Sequence, residues 1–133
     1  MSSYLLVLAV MLVPTAAPAG SVLEGHWRNP NGTVIIAIAP CGEVLCGRVQ
    51  WASEKAIADA SKGGTDPLVG AELLREIVPN GDGRWKARLF VPDLNKTSKA
   101  ELRESARDQL KVTGCTVGRL LCKSQVWTRT EAH

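Results

Sequence analysis

The sequence predicts an all-β domain: a small antiparallel β-barrel of about eight strands, with one short helix or loop insertion near residues 52–70. Two observations predict this class. Short apolar or alternating segments recur along the chain, and each is bounded by Gly, Pro, Asn or Asp residues that favour turns. Closure into a barrel is expected because it removes exposed strand edges, and eight strands leave room for packed side chains or one small ligand.

The first three strands are predicted to form a meander with short connections. The Asn-Gly pair at residues 31–32 favours a hairpin between the first two strands. Pro40 ends the second strand, and a turn at residues 41–43 leads into the third strand, residues 44–51. Alternation along this third strand predicts that one face carries Leu45, Val49 and Trp51, and that the other carries Arg48 and Gln50.

Residues 52–69 interrupt this rhythm. Ser53 can cap a short helix that runs through Ala60, and Gly63-Gly64 would end it. The strand pattern then resumes with residues 73–78 and the alternating segment 84–91. Residues 110–114 and 120–130 supply the last two strands.

Residues 98–111 allow two interpretations. Ser98 and Glu101 match a helix capping box, and Leu102, Ala106 and Leu110 are four residues apart, which is typical of a helix. We predict instead a strand over residues 97–103 followed by a polar turn over 104–109, because strand pairing often overrides local propensity.

The first 20 residues resemble a secretory signal peptide. They hold no charged side chain, residues 5–13 are continuously apolar, and Ala17-Pro18-Ala19 has the small-x-small pattern of a cleavage site. We therefore expect residues 1–19 to be a signal peptide cleaved after Ala19, and residues 20–133 to form one domain in the periplasm or outside the cell. The apolar run is too short for a transmembrane anchor.

Four cysteines form two local pairs in the sequence. They are Cys41, Cys46, Cys115 and Cys122. In an oxidising compartment the spacing favours Cys41–Cys46 and Cys115–Cys122 disulfides, each worth about 2 kcal/mol in the chain-entropy account. The alternative is a four-thiolate zinc site, although such sites use closer cysteine pairs. We expect no metal.

The charge distribution argues against nucleic acid as a partner. The chain carries a net charge of +3, and basic and acidic residues interleave in the C-terminal half. This pattern predicts a solvated face of mixed charge. The alternative is a weak attraction for acidic envelope polymers or anionic head groups.

Three stretches carry a resemblance to a known family: residues 25–32 (GHWRNPNG), residues 41–49 (CGEVLCGRV), and residues 114–129 with their GC, LC and QVWTR segments. They resemble the exported bacterial family known as domain of unknown function 2147. This resemblance extends over nearly all of the mature chain. It implies a lipocalin-like β-barrel in the periplasm or outside the cell, and it implies no reaction.

The lipocalin likeness suggests structural roles for four residues, Gly25, Trp27, Trp127 and Arg129. Lipocalins begin with Gly-x-Trp and lay an Arg from the last strand over that indole, so we expect Arg129 to stack on Trp27. The alternative is that Trp27 is an ordinary core residue and Arg129 an ordinary surface residue.

Candidate ligand-binding residues at a cavity or its mouth are Trp51, Trp85, Arg48 and Gln125. The two tryptophans could stack on a ligand or simply fill the barrel. The two polar residues could bind an anionic head group or satisfy buried backbone groups. Catalytic residues and a cofactor are not expected, since His26 and His133 are the two histidines and no nucleophile or phosphate-binding motif occurs.

The sequence therefore predicts a non-catalytic binder of a small apolar or amphipathic molecule in the bacterial envelope. The alternative is a secreted protein-interaction module, such as an inhibitor of an envelope or host hydrolase. An internal cavity would favour the first. A filled barrel with an exposed loop over residues 52–70 would favour the second.

Overall fold

The computed structural model describes residues 21–115 and 122–131, which form a closed barrel of eight antiparallel strands. Each strand pairs with its neighbours in sequence, and the first strand pairs with the last. The elements are β1 Gly25–Arg28, β2 Val34–Cys41, β3 Val44–Ala52, α1 Glu54–Lys62, β4 Glu72–Pro79, β5 Arg84–Val91, β6 Lys96–Ala106, β7 Gln109–Cys115 and β8 Cys122–Thr130. The predicted fold class is confirmed.

The two ends of the barrel differ. One end, which we call the mouth, carries α1 and the β1–β2 and β5–β6 turns. The opposite end, which we call the base, carries the β2–β3, β4–β5 and β6–β7 turns together with residues 21–24. Most fully buried apolar side chains are packed within the barrel, among them Leu23, Trp27, Ile38, Ile77, Leu102 and Leu110.

Helix α1 forms where the capping residues predict it. The Ser53 side chain accepts a hydrogen bond from the backbone N–H of Ala56 at 3.1 Å, which satisfies a free donor of the first turn. Gly63 ends the helix. Ala60 is fully buried and fixes the face of the helix that packs against the barrel.

Residues 96–115 form a strand, a tight turn and a second strand, so the predicted strand is confirmed. Strand β6 is longer than predicted, and the turn consists only of Arg107 and Asp108, with Ala106 paired to Gln109. Asp108 adopts the left-handed conformation, with φ of 59°. An Asp here tolerates that conformation better than most residues.

The expectation that Trp51 shares a face with Leu45 and Val49 is wrong. Ile36 pairs with Val49 and Ile35 pairs with Trp51, so Gln50 is an extra residue that forms a β-bulge. The bulge reverses the alternation, and Trp51 therefore lies on the outer face of the barrel. Ala52, which follows it, belongs to the buried core.

Both predicted disulfides are present. Cys41–Cys46 lies across the β2–β3 hairpin at the base, and Cys115–Cys122 joins directly opposite residues of β7 and β8 at the mouth. Two disulfides indicate an oxidising environment. Within the described residues, no helix combines the length and apolar character needed to span a membrane. The predicted signal peptide, residues 1–19, lies outside the described residues.

Candidate functional site

An open cavity of about 730 Å³ extends into the barrel from the mouth. Its wall is mostly apolar and is contributed by β2, by β4 to β8 and by the segment after α1. The apolar side chains of the wall are Val34, Ile36, Leu68, Leu73, Leu74, Leu89, Phe90, Val112 and Trp127. A site of this kind can take up the apolar part of a ligand without any covalent chemistry.

A small residue on an inner strand position helps to keep this space open. Gly114 on β7 lies on the cavity wall, and a Cβ atom there would approach the Leu89 Cδ2 atom to 3.0 Å and the Ser98 hydroxyl to 3.6 Å. Any larger residue at position 114 would therefore press into Leu89. Below this level the interior is filled, since Leu102 and Leu110 are fully buried.

The rim of the cavity is polar and carries charges of both signs. Lys55 and Asp59, one turn apart on α1, form an ion pair with 2.7 Å between Nζ and Oδ2. The hydrogen bond from Lys55 lowers the pKa of Asp59, and the same bond raises the pKa of Lys55. Asp93 and Lys123 also lie on the rim, so a polar ligand group would meet charged partners there.

Contacts at both of its ends fix α1 beside the mouth. The backbone N–H of Ser53 donates to the Thr33 carbonyl at 2.8 Å. At the other end, the Thr65 hydroxyl donates to the Pro92 carbonyl at 2.9 Å. Gly63 packs so closely on the β5–β6 turn that a Cβ atom there would overlap the carbonyl oxygen of Asp93.

The structure separates the four predicted ligand-binding residues. Gln125 lines the cavity, and its side-chain oxygen accepts a hydrogen bond of 3.2 Å from the Trp127 indole. Trp85 packs against the core, whereas Trp51 lies on the outer face. Arg48 is on the outer face too, where it pairs with Glu72 at 2.7 Å. Of the four predicted residues, Gln125 is therefore the one that lines the described part of the cavity wall.

Several wall and rim residues were missed by sequence reasoning. Leu68 and Phe90 line the cavity, as do the paired charges of α1. The i,i+4 spacing of Lys55 and Asp59 is a visible signal for their ion pair. No local signal places Leu68 on the wall, because it reaches the cavity only through the path of the loop that follows α1.

The base is closed by a cluster centred on Arg129, which belongs to β8. Its guanidinium carbon lies 4.3 Å from the centroid of the Trp27 ring, which is the stack expected from the sequence. The same group donates hydrogen bonds to the carbonyls of Val22 at 2.6 Å and Glu24 at 2.8 Å. Gly25 has a φ of 134°, and a Cβ atom there would lie 2.5 Å from Arg129 Nη1, so only glycine leaves room for the guanidinium.

Potential metal ligands are dispersed. Within residues 21–115 and 122–131, no group of three or more His, Cys, Asp or Glu side chains lies close enough together to hold a metal ion.

The fold is lipocalin-like: a closed eight-stranded barrel that opens to an apolar cavity at one end and is sealed at the other by an Arg stacked on the tryptophan of Gly-x-Trp. The chain belongs to the bacterial family described as "Uncharacterized protein conserved in bacteria (DUF2147)", whose model matches residues 25–129.

A solved structure has the same fold: the protein described as "Protein HP1028 from the human pathogen Helicobacter pylori belongs to the lipocalin family". The two chains are 11% identical and superpose with a TM-score of 0.62, over 82% of this chain and 83% of the other. The comparison with curated proteins found no match. At this identity the structural likeness shows a shared fold.

Proposed function

We propose that the protein is a non-catalytic binder of a small apolar or amphipathic molecule in the bacterial envelope. The observation that carries this proposal is the open cavity of about 730 Å³. Its size lies within the range of roughly 300–1,000 Å³ that small-molecule sites occupy. The mostly apolar wall supplies affinity through burial, at about 25 cal/mol for each Å² of apolar surface removed from water.

The rim supports an amphipathic ligand over a purely apolar one. The apolar chain of a ligand would pack against Val112 and Leu74 inside the cavity, while its polar head group would remain beside Lys123 and Gln125. Charged groups at the edge of a site orient a ligand rather than dominate its affinity. The rim ion pair of α1 would then act as a fixed polar border.

The disulfides and the proposed signal peptide support a place in the bacterial envelope. Two disulfides favour a compartment where thiols are oxidised. The proposed cleavage after Ala19 would leave Val22 and Glu24, whose carbonyls bind Arg129, near the start of the mature chain. Mass spectrometry of protein purified from a periplasmic fraction tests both points: cleavage elsewhere or four free thiols would contradict them.

The alternative function, a protein-interaction module, has one favourable observation. Ile57 on α1 and Val69 in the following loop are 38% and 46% exposed, and both lie in the segment that such a module would present. The open cavity favours the binder instead, because an interaction module has no need for space inside its barrel.

The decisive experiment is native mass spectrometry of the oxidised protein from a periplasm. A small-molecule adduct that is lost on denaturation would support the binder and identify the ligand class. The matched variants are Ser98→Phe, which fills the cavity wall, and Ser124→Phe, which places the same ring on the exposed outer face of β8.

We expect Ser98→Phe to lose the adduct and Ser124→Phe to keep it. If no adduct is found in the wild type, displacement of a fluorescent apolar probe with the same two variants is the second readout. Equal probe binding by both variants would overturn the cavity as the site, and specific capture of a protein partner would then support the interaction module.

A further inference from the structure

The outer face of strands β4 to β7 concentrates positive charge. Strand pairing places Arg75, Arg88 and Lys99 side by side in one row across three strands. A second row, nearer the base, consists of Arg84, Arg103 and Lys111. We call this surface, together with Lys86 and Glu101 between the two rows, the basic face.

The sequence hides this arrangement because side chains of opposite character alternate along each strand. On β5 the residues that alternate with the cations, Trp85, Ala87 and Leu89, belong to or pack against the core. The cations are spread over about forty positions of the sequence, and the sheet therefore brings them together on one surface.

Carboxylates compensate the basic face only in part. Glu101 lies 3.9 Å from Arg84 and Glu72 lies 3.9 Å from Arg75, both weak pairs that water can reach, and Glu76 shares a surface depression with Arg75 and Arg88. Like charges that are directly opposite on neighbouring strands destabilise a sheet. Two such rows are an unfavourable feature for the isolated barrel.

The charge of the basic face exceeds that of the whole protein. With the neighbouring Glu72 and Glu76 counted, its seven cations and three carboxylates give +4, whereas the whole chain carries +3, so the remainder of the chain sums to −1. Because of this asymmetry, one side of the barrel attracts anionic partners more strongly than the rest of the surface does.

The geometry of the basic face fits a two-dimensional partner. Neighbouring strands lie about 4.8 Å apart, so each row is about 10 Å long, and four residues along a strand separate the rows by about 14 Å. A single linear polyanion would follow one line of cations. A flat layer of anionic groups can meet the five cations of β5 and β6 together, whereas Arg75 and Lys111 lie further round the closed barrel.

The turn between β5 and β6 adds an apolar contact. Leu94 lies at this turn, is 63% exposed, and joins the two strands that carry five of the seven cations. An exposed leucine at the end of a cationic surface can reach the boundary between the head groups and the acyl chains of a membrane.

We propose that the basic face and Leu94 dock the barrel on a membrane surface rich in anionic phospholipid. Docking in this way does not require an occupied cavity, so it can be tested on the protein as purified. Each cation near an anionic membrane strengthens partition about fivefold, and this gain is lost as salt screens the surface.

The test is cosedimentation of the oxidised mature protein with two kinds of vesicle. One consists of phosphatidylcholine with about one third phosphatidylglycerol, and the other of phosphatidylcholine alone. The variant R88Q/K99Q removes two cations from one row. The control, R28Q/K62Q, removes two exposed cations that lie outside the basic face, on β1 and α1, so the two variants have equal net charge.

We expect the wild type to bind the anionic vesicles and to be released at about 0.5 M salt. R88Q/K99Q should bind about 25-fold more weakly, at a fivefold loss for each cation, and the control should bind like the wild type. R88Q/K99Q should also unfold at the same or a higher temperature, since it relieves like-charge repulsion. Leu94→Ser should weaken the binding that remains at high salt.

Three results would overturn the proposal: equal binding to neutral vesicles, an equal loss in both double variants, or no binding to anionic vesicles at low salt. In the last case, binding to a soluble acidic polysaccharide that R88Q/K99Q abolishes would assign the basic face to a polymer instead.

Discussion

Replacing Arg129 by alanine tests how the base of the barrel is held. One guanidinium joins β8 to the residues before β1 through the Val22 and Glu24 carbonyls, and it pairs with Asp108 at 3.0 Å while covering the Trp27 ring. The substitution removes all four contacts but leaves the strand pairing of β8 in place. We expect loss of stability without loss of the fold class.

The magnitude follows from the contacts and their exposure. The Arg129 side chain is 32% exposed, so each hydrogen bond to a carbonyl is discounted to about 1 kcal/mol. The stack on Trp27 contributes about 1 kcal/mol. The ion pair adds at most about 0.5 kcal/mol, because Asp108 is 56% exposed. The sum predicts that Arg129→Ala lowers the free energy of unfolding by about 3 kcal/mol.

The assay is urea unfolding of the oxidised protein, followed by tryptophan fluorescence and analysed by linear extrapolation. Arg129→Lys keeps the charge but cannot reach both carbonyls with a planar fork, so we expect it to restore less than half of the loss. The control is Arg28→Ala, an exposed arginine on β1, which should change stability by less than about 0.5 kcal/mol. Equal effects of Arg129→Ala and Arg28→Ala would refute the reasoning, and so would full recovery by lysine.

Three further predictions concern the base, the helix and the rim. Trp27→Ala should leave the domain unfolded at room temperature, because it opens a large cavity at a cost of about 3–5 kcal/mol and removes the platform for the guanidinium; near-ultraviolet circular dichroism measures this. Gly63→Ala should destabilise the protein by about 2 kcal/mol through overlap with Asp93, measured by thermal unfolding. The Asp59 carboxyl should titrate below its ordinary pKa in an NMR experiment, and Lys55→Gln should return that pKa towards the ordinary value.

Each of these three predictions would be contradicted by a specific result. A Trp27→Ala protein with an unchanged melting temperature would show that the base does not depend on the indole. For the helix, the control is Gly42→Ala, which meets no atom within 4 Å and carries only the strain of a φ of 78°; a larger loss there than at position 63 would contradict the steric argument.

The sign of the Asp59 effect is fixed by the direction of its pKa shift. A lowered pKa in the folded state means that the ion pair stabilises at pH values above the unfolded pKa and is lost as the pH falls through the folded one. Lys55 has a raised pKa, so its contribution is present below its unfolded pKa and is lost as the pH rises through the folded value. A titration midpoint for Asp59 at or above its ordinary value would contradict the pair.

Much of the fold is encoded locally, in turn residues and caps. The Asn-Gly pair at residues 31–32 and the glycines after α1 act over a few neighbouring positions, so they can be recognised without knowledge of the rest of the chain. Residues 98–111 show the limit of such signals. Their capping box and fourfold spacing predict a helix, but β6 is paired along its length with both β5 and β7, and that pairing outweighs local preference.

The outward position of Trp51 and the basic face were beyond sequence reasoning for two different reasons. One extra residue, Gln50, moved Trp51 to the outside, and a bulge leaves no clear mark in a linear pattern. The rows of cations depend on the register between strands, for example the pairing of Arg84 with Arg103. Register is set by the whole sheet, so neither the wall of the cavity nor the charge of a face can be derived from one strand alone.

The contacts of Arg129 also constrain the order in which the protein folds. The carbonyls that it binds lie 105 and 107 residues earlier in the chain, nearly the full length of the domain. Contacts at such separation form late, since the loop between them must first be ordered. Until β8 pairs with them, β1 and β7 would therefore remain open edges. The barrel is therefore most prone to aggregation before the nine residues of β8 have paired.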